Sequence, residues 1–181
     1  MNNLEISMEN LNLHEELEIK ENKILEYLYK KNLDGVILKR ADNWAWITGG
    51  KNDRLIYSTD ESFIDLIITK NLTKYCIASN VEEQRLIDED FANLSYEIIA
   101  YPWFNPQERT NIIDRIIRNK RFASDWKING TIELENDFKE MRFSLTNNEL
   151  KKYRILGEWC REVVEGTLKQ IKVGISVGGK F

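Results

Sequence analysis

Leu17, Ile24, Leu25, Leu28 and Tyr29 recur at near-helical spacing, which predicts a helix over 15–31 behind a loose polar leader at 1–14. Asp34-Gly35 turns the chain into the short apolar run Val36-Ile37-Leu38, a strand. Residues 42–50 read as a Trp-rich turn or loop ending in Gly49-Gly50. Strands are expected at 54–58 and 63–69, with Asn71-Leu72-Thr73-Lys74 as a hairpin connection into a further strand at 75–78. Asn80 is placed to cap a helix over 81–90, with acidic residues in its first turn. A strand at 96–100 follows. Pro106 then suits the first turn of a helix reaching about residue 119, whose apolar face is Ile112, Ile113, Ile116 and Ile117. A last short strand covers 122–124, a bend carries Gly130, and 134–142 forms a short helical connector with Phe138 and Met141 on one side.

Short apolar strands alternating with amphipathic helices from 15 to 125 predict an α/β domain, a mixed sheet of about five or six strands with helices on both faces. The sheet is mixed because the strand pair around Asn71 is antiparallel. Residues 126–145 read as a linker, and 146–181 as a separate segment dominated by one long helix. Thr146 and Glu149 form a capping box at its start. Leu150, Tyr153, Leu156, Trp159, Cys160, Val163, Val164, Leu168 and Ile171 make an apolar stripe at three- and four-residue steps, and Gly174 closes the helix. A stripe this broad is built to lie against a large surface.

A hydrophobic share of 42% supports a real core and excludes wholesale disorder. The net charge of −4 argues against a general nucleic-acid binder; the cluster Arg115, Arg118, Lys120 and Arg121 reads as cations at a helix C-terminus. No apolar run approaches the ~18 residues of a membrane span. Cys76 and Cys160 read as buried free thiols, and the sequons at Asn71, Asn93 and Asn129 lack an export signal before them. The expected compartment is the cytoplasm.

Catalytic chemistry is thinly represented. The single histidine, His14, lies in the leader, and the carboxylates Glu82-Glu83 and Asp88-Glu89-Asp90 read as solvated helix faces, so no metal ligand set and no base for a nucleophile emerges. Gly49-Gly50 and Gly178-Gly179 lack the spacing of a phosphate cradle. The aromatic residues Trp44, Trp46, Trp103 and Phe104 draw more interest. Trp44, Trp46, Thr48, Gly49 and Gly50 follow the first strand, where open α/β sheets place ligands, and form the expected cleft- or interface-facing loop; a core plug is the competing reading.

Three segments resemble the creatinase/prolidase/aminopeptidase P family. Asp42-Asn43-Trp44-Ala45-Trp46-Ile47-Thr48-Gly49-Gly50, after Asp34-Gly35-Val36-Ile37-Leu38, is similar to its N-x-x-[YW]-[LI]-T-G signature. Asn80-Val81-Glu82-Glu83-Gln84-Arg85-Leu86 is similar to the helix after its inner hairpin, and 141–154, from Met141-Arg142 through Leu145-Thr146 to Tyr153-Arg154, to its R-x-x-L-T-x-x-E-[LI]-x-x-[YL]-R junction. The resemblance implies a Xaa-Pro metallopeptidase with an α/β N-terminal domain and a pita-bread catalytic domain, in which two divalent metal ions are held by two Asp, one His and two Glu. It also implies dimers or tetramers and peptide substrates with proline second. This sequence departs from the pattern at Val177-Gly178-Gly179-Lys180-Phe181, and no metal ligand carries over. The expectation is an N-terminal fragment inactive alone, produced by a frameshift, an early stop or a split gene, whose partner is the missing catalytic domain or a second copy. A stand-alone oligomerisation or binding module, and a small enzyme with an unrelated site on the Trp segment, are the other readings.

Overall fold

The computed structural model describes residues 12–51, 59–92, 94–171 and 174. In chain order the elements are α1 (Leu13–Lys31), β1 (Gly35–Arg40), α2 (Ala41–Ile47), β2 (Glu61–Thr69), β3 (Lys74–Ser79), α3 (Glu83–Arg85) with a π-helical turn at Leu86–Asp90, β4 (Glu97–Tyr101), α4 (Pro106–Ile117), β5 (Phe122–Ser124), β6 (Ile132–Glu133), α5 (Asn136–Glu140) and α6 (Asn147–Gln170). They fall into two compact units: Leu17–Ser144, and the start of the chain to Glu16 together with Leu145 onward.

The larger unit is built on a six-stranded sheet in the order β4-β3-β2-β1-β5-β6. β2 pairs antiparallel with both β1 and β3, whereas β3–β4, β1–β5 and β5–β6 are parallel pairs. Strand β2 alone therefore runs against the rest, and β1, β3, β4, β5 and β6 end along one edge. On one face Ile37, Ile67, Ile77 and Phe122 pack with Ile112, Ile113 and Ile117 of α4. Successive strand residues point to opposite faces, so Val36, Leu38, Leu66, Ile68 and Cys76 belong to the other, and they are equally buried. Ile24 and Leu28 of α1 and Trp44 of α2 are among the buried apolar groups of this unit outside the sheet. Burial on both faces explains why these strands read as continuous apolar runs.

Gly35 opens β1 where a side chain has no room: a Cβ there would lie 2.3 Å from the Phe122 ring and 2.8 Å from the Ile68 carbonyl oxygen. The carbonyl is fixed by the β1–β2 ladder and cannot retreat. Gly35→Ala is expected to destabilise the unit by about 1–3 kcal/mol, the usual range for overpacking, measured as a lower urea midpoint with an unchanged slope.

Several expectations shift. The hairpin is present, with Leu72 at φ 59° and the Thr69 N–H donating to the Thr73 carbonyl at 3.1 Å. Asn80 does not cap a helix. Its side-chain oxygen accepts the Trp103 N–H at 3.1 Å and its own N–H donates to the Tyr101 carbonyl at 2.8 Å, tying the ends of β3 and β4; α3 starts at Glu83 without a side-chain cap. The stretch 126–145, read as a linker, carries β6 on the sheet edge and the buried Phe138 of α5. The strand expected at 54–58 lies outside the described residues.

Candidate functional site

The segment read as a Trp-rich loop is a helix, α2, and its ends explain why. Asp125, at the end of β5, accepts the N–H groups of Lys39 (2.7 Å) and Arg40 (3.1 Å) and the side-chain amide of Asn43 (2.7 Å), so one carboxylate organises the β1–α2 junction. Burial pushes the Asp125 carboxyl above its ordinary range, opposed by those three donors. At the other end the Gly50 N–H reaches back to the Ala45 carbonyl (2.8 Å) and the Gly49 N–H to that of Trp46 (3.4 Å), with Gly49 at φ 76°. This paired return to the last turn is a Schellman termination, which favours glycine at the left-handed position.

The helix turns its aromatics inward. Trp44 is 0% exposed and meets Phe91 edge-to-face at 6.0 Å. Thr48 is equally buried, its hydroxyl donating to the Trp44 carbonyl at 2.8 Å. Trp46 is half-buried against Phe138, and the buried Lys20 ammonium donates to its carbonyl at 2.7 Å. Of the five residues assigned to this segment, only Gly50 is exposed; Gly49 is intermediate. Asp42, also in α2, is approached by Arg142 and Arg40, each at 3.2 Å. Burial raises its carboxyl, but the two guanidiniums outweigh burial and hold it below the usual carboxylate range. Arg142 belongs to the junction motif and Asp42 to the Trp motif, so this pair joins two segments that carry the family resemblance.

A charged cluster that sequence reasoning missed lies on the α4 side of the sheet. Asp65, 0% exposed in the middle of β2, accepts both arms of the Arg109 guanidinium at 2.6 Å. Lys39 stands nearby, its Nζ 3.6 Å from Asp65 and 3.4 Å from Glu61. The signal in the chain was a lysine and an aspartate inside otherwise apolar strand runs, where a charge needs a partner.

The smaller unit presents a surface. The Thr146 hydroxyl accepts the Glu149 N–H (3.1 Å) while the Glu149 carboxylate accepts the Thr146 N–H (2.8 Å), completing the expected capping box. Glu16 accepts from Asn148 at 2.6 Å and from Lys152 at 2.8 Å, fixing the first turns of α6. Beyond them Tyr153, Leu156, Val163, Val164, Leu168 and Ile171 are all exposed. Cys160, expected to be buried, is exposed on this helix, whereas Cys76 is buried in β3; neither is in a disulfide. The helix stops at Gln170, before Gly174 with its φ of 95°.

The described residues do not fit a metal site of the kind the resemblance implies. Among them no group of three or more His, Cys, Asp or Glu is placed to hold an ion, and His14 is exposed in the first turn of α1. No helix among the described residues is long and apolar enough to cross a membrane.

No family model matches the chain, and no curated protein matches it. Solved structures do. A Xaa-Pro dipeptidase from Bacillus anthracis superposes with a TM-score of 0.62 at 13% identity, over 91% of this chain and 45% of that one. A prolidase from Pyrococcus horikoshii gives 0.59 at 14% identity, over 84% and 43%. A proline dipeptidase structure from Streptococcus pneumoniae gives 0.50 at 15% identity, over 68% of this chain and 97% of that one. The chain spans less than half the length of the Bacillus and Pyrococcus proteins. Its mixed six-stranded α/β architecture is the creatinase/prolidase N-terminal fold, shared with these prolidase and Xaa-Pro dipeptidase structures.

Proposed function

We propose that this chain is the N-terminal, non-catalytic part of a Xaa-Pro dipeptidase or aminopeptidase, and that α6 is the face through which it joins its partner, the catalytic half or a second copy of the chain. The observation that carries the reading is the α6 face itself. A capped helix of 24 residues holds out a contiguous apolar stripe, and the chain that carries it matches less than half of each of two longer peptidases. Burying a large apolar side chain stabilises by roughly 1.5–3 kcal/mol, so covering this stripe favours assembly strongly. The metal ions and general base of such an enzyme would be held outside this segment, and the role of this part is to shape and support. Two cysteines outside any disulfide accord with a reducing cytoplasm. A stand-alone oligomerisation module would use the same α6 surface.

Purified chain incubated with Xaa-Pro dipeptides and tripeptides, with manganese, cobalt or zinc added, is expected to release no proline or amino acid. Metal-dependent turnover abolished by substituting a residue of this chain would overturn the non-catalytic assignment.

A further inference from the structure

Lys39 lies near the carboxyl end of β1 with its side chain 7% exposed. A buried ammonium keeps three N–H donors, and charge-assisted bonds to oxygen run at about 2.7–2.9 Å. Among the described residues Lys39 makes none that short: its two carboxylate neighbours stand at 3.4 and 3.6 Å. Asp65 is fully buried and fixed at both oxygens by the Arg109 fork. Glu61 is different. Its side chain is 41% exposed, so it can leave Lys39 for water at little cost. Beside these groups is a cleft of about 200 Å³, lined by Lys39, Glu61, Phe63, Tyr101 and Arg109. It sits by the carboxyl ends of β1 and β4, the edge of an open α/β sheet where ligands bind.

We propose that this cleft binds a small organic carboxylate. The ligand's carboxylate takes the place Glu61 now holds beside Lys39, and its apolar body lies against Phe63 and Tyr101. Glu61 is then a stand-in anion that leaves on binding. A monoanion suits the site better than phosphate, because Asp65 stays behind as a fixed negative charge that a dianion would oppose. The Phe63 and Tyr101 rings favour a ligand with an apolar body over acetate. This site is independent of the peptidase reading.

Benzoate titrated into the isotope-labelled full chain tests it, with benzamide as the neutral isostere. Benzoate is expected to shift the Phe63, Tyr101 and Arg109 amides saturably, and benzamide to leave them in place. Lys39→Met should weaken benzoate by about tenfold or more. Glu61→Gln, on an exposed side chain that leaves the fold intact, should tighten it by about threefold, because the competing anion is gone. The opposite responses of the two variants separate a ligand site from a structural ion pair. Equal shifts with benzamide, no saturable shift with benzoate, or weaker binding in Glu61→Gln would overturn the proposal; if Lys39→Met fails to fold, the Glu61→Gln result decides.

Discussion

Asp65→Ala is expected to cost about 3–5 kcal/mol of unfolding free energy, the range for breaking a buried ion pair by removing one partner. Asp65 is fully buried and, among the described residues, is the only acceptor of the Arg109 fork, so its removal strands a guanidinium that is itself largely buried and weakens the setting of Lys39. The loss comes from leaving charge unpaired more than from the worth of the bond. The double variant Asp65→Leu with Arg109→Leu should therefore recover much of the stability, because two apolar side chains replace the pair and leave only Lys39 with Glu61. Urea unfolding of the three proteins measures this. A single-variant cost below about 1 kcal/mol would show that the pair behaves as a surface salt bridge.

Trp44→Ala is expected to lose a comparable ~3–5 kcal/mol, as large-to-small core substitutions do. Its indole is wholly enclosed and meets Phe91 edge-to-face, so deletion opens a cavity that the short helix α2 cannot collapse into. Among the described residues the buried indole N–H has no hydrogen-bond partner. Trp44→Phe should accordingly cost much less than Trp44→Ala, since it loses volume but also removes an unsatisfied donor. Trp46→Ala should fall between them, because that ring is only half-buried, although the Lys20 ammonium lies over it at 5.7 Å from the centroid as well as donating to its carbonyl. If Trp44→Ala leaves the urea midpoint unchanged, the indole is not the core plug that its burial makes it.

These two sites also mark where the sequence stops being readable. β1, the β2–β3 hairpin and α4 were legible because each carries an apolar run or stripe long enough to show its period. The capping box of α6 was legible because Thr146 and Glu149 serve each other within one turn. α2 was not. Its seven residues are too few to show a helical period, its glycines read as loop, and the carboxylate organising its start comes from Asp125, 82 positions after Asn43. The Asp65–Arg109 pair spans 44 positions and follows no motif. β6 has two residues, below the length at which alternation exists. Trp44 and Trp46 stand out in the sequence as a pair, but their neighbours in space decide which faces the core, and neither Phe91 nor Phe138 lies within a local pattern.

The α6 face is tested most directly by the mass of the full chain in solution, followed by size-exclusion chromatography with light scattering across a concentration series, alongside the variant Leu156→Glu with Val163→Glu. Both side chains are exposed on α6, so the two glutamates leave the capping box untouched. A concentration-dependent mass above the 21.4 kDa of one chain is expected, with a return to 21.4 kDa in the variant. A wild-type chain that stays at 21.4 kDa throughout, with α6 resistant to trypsin, would contradict it.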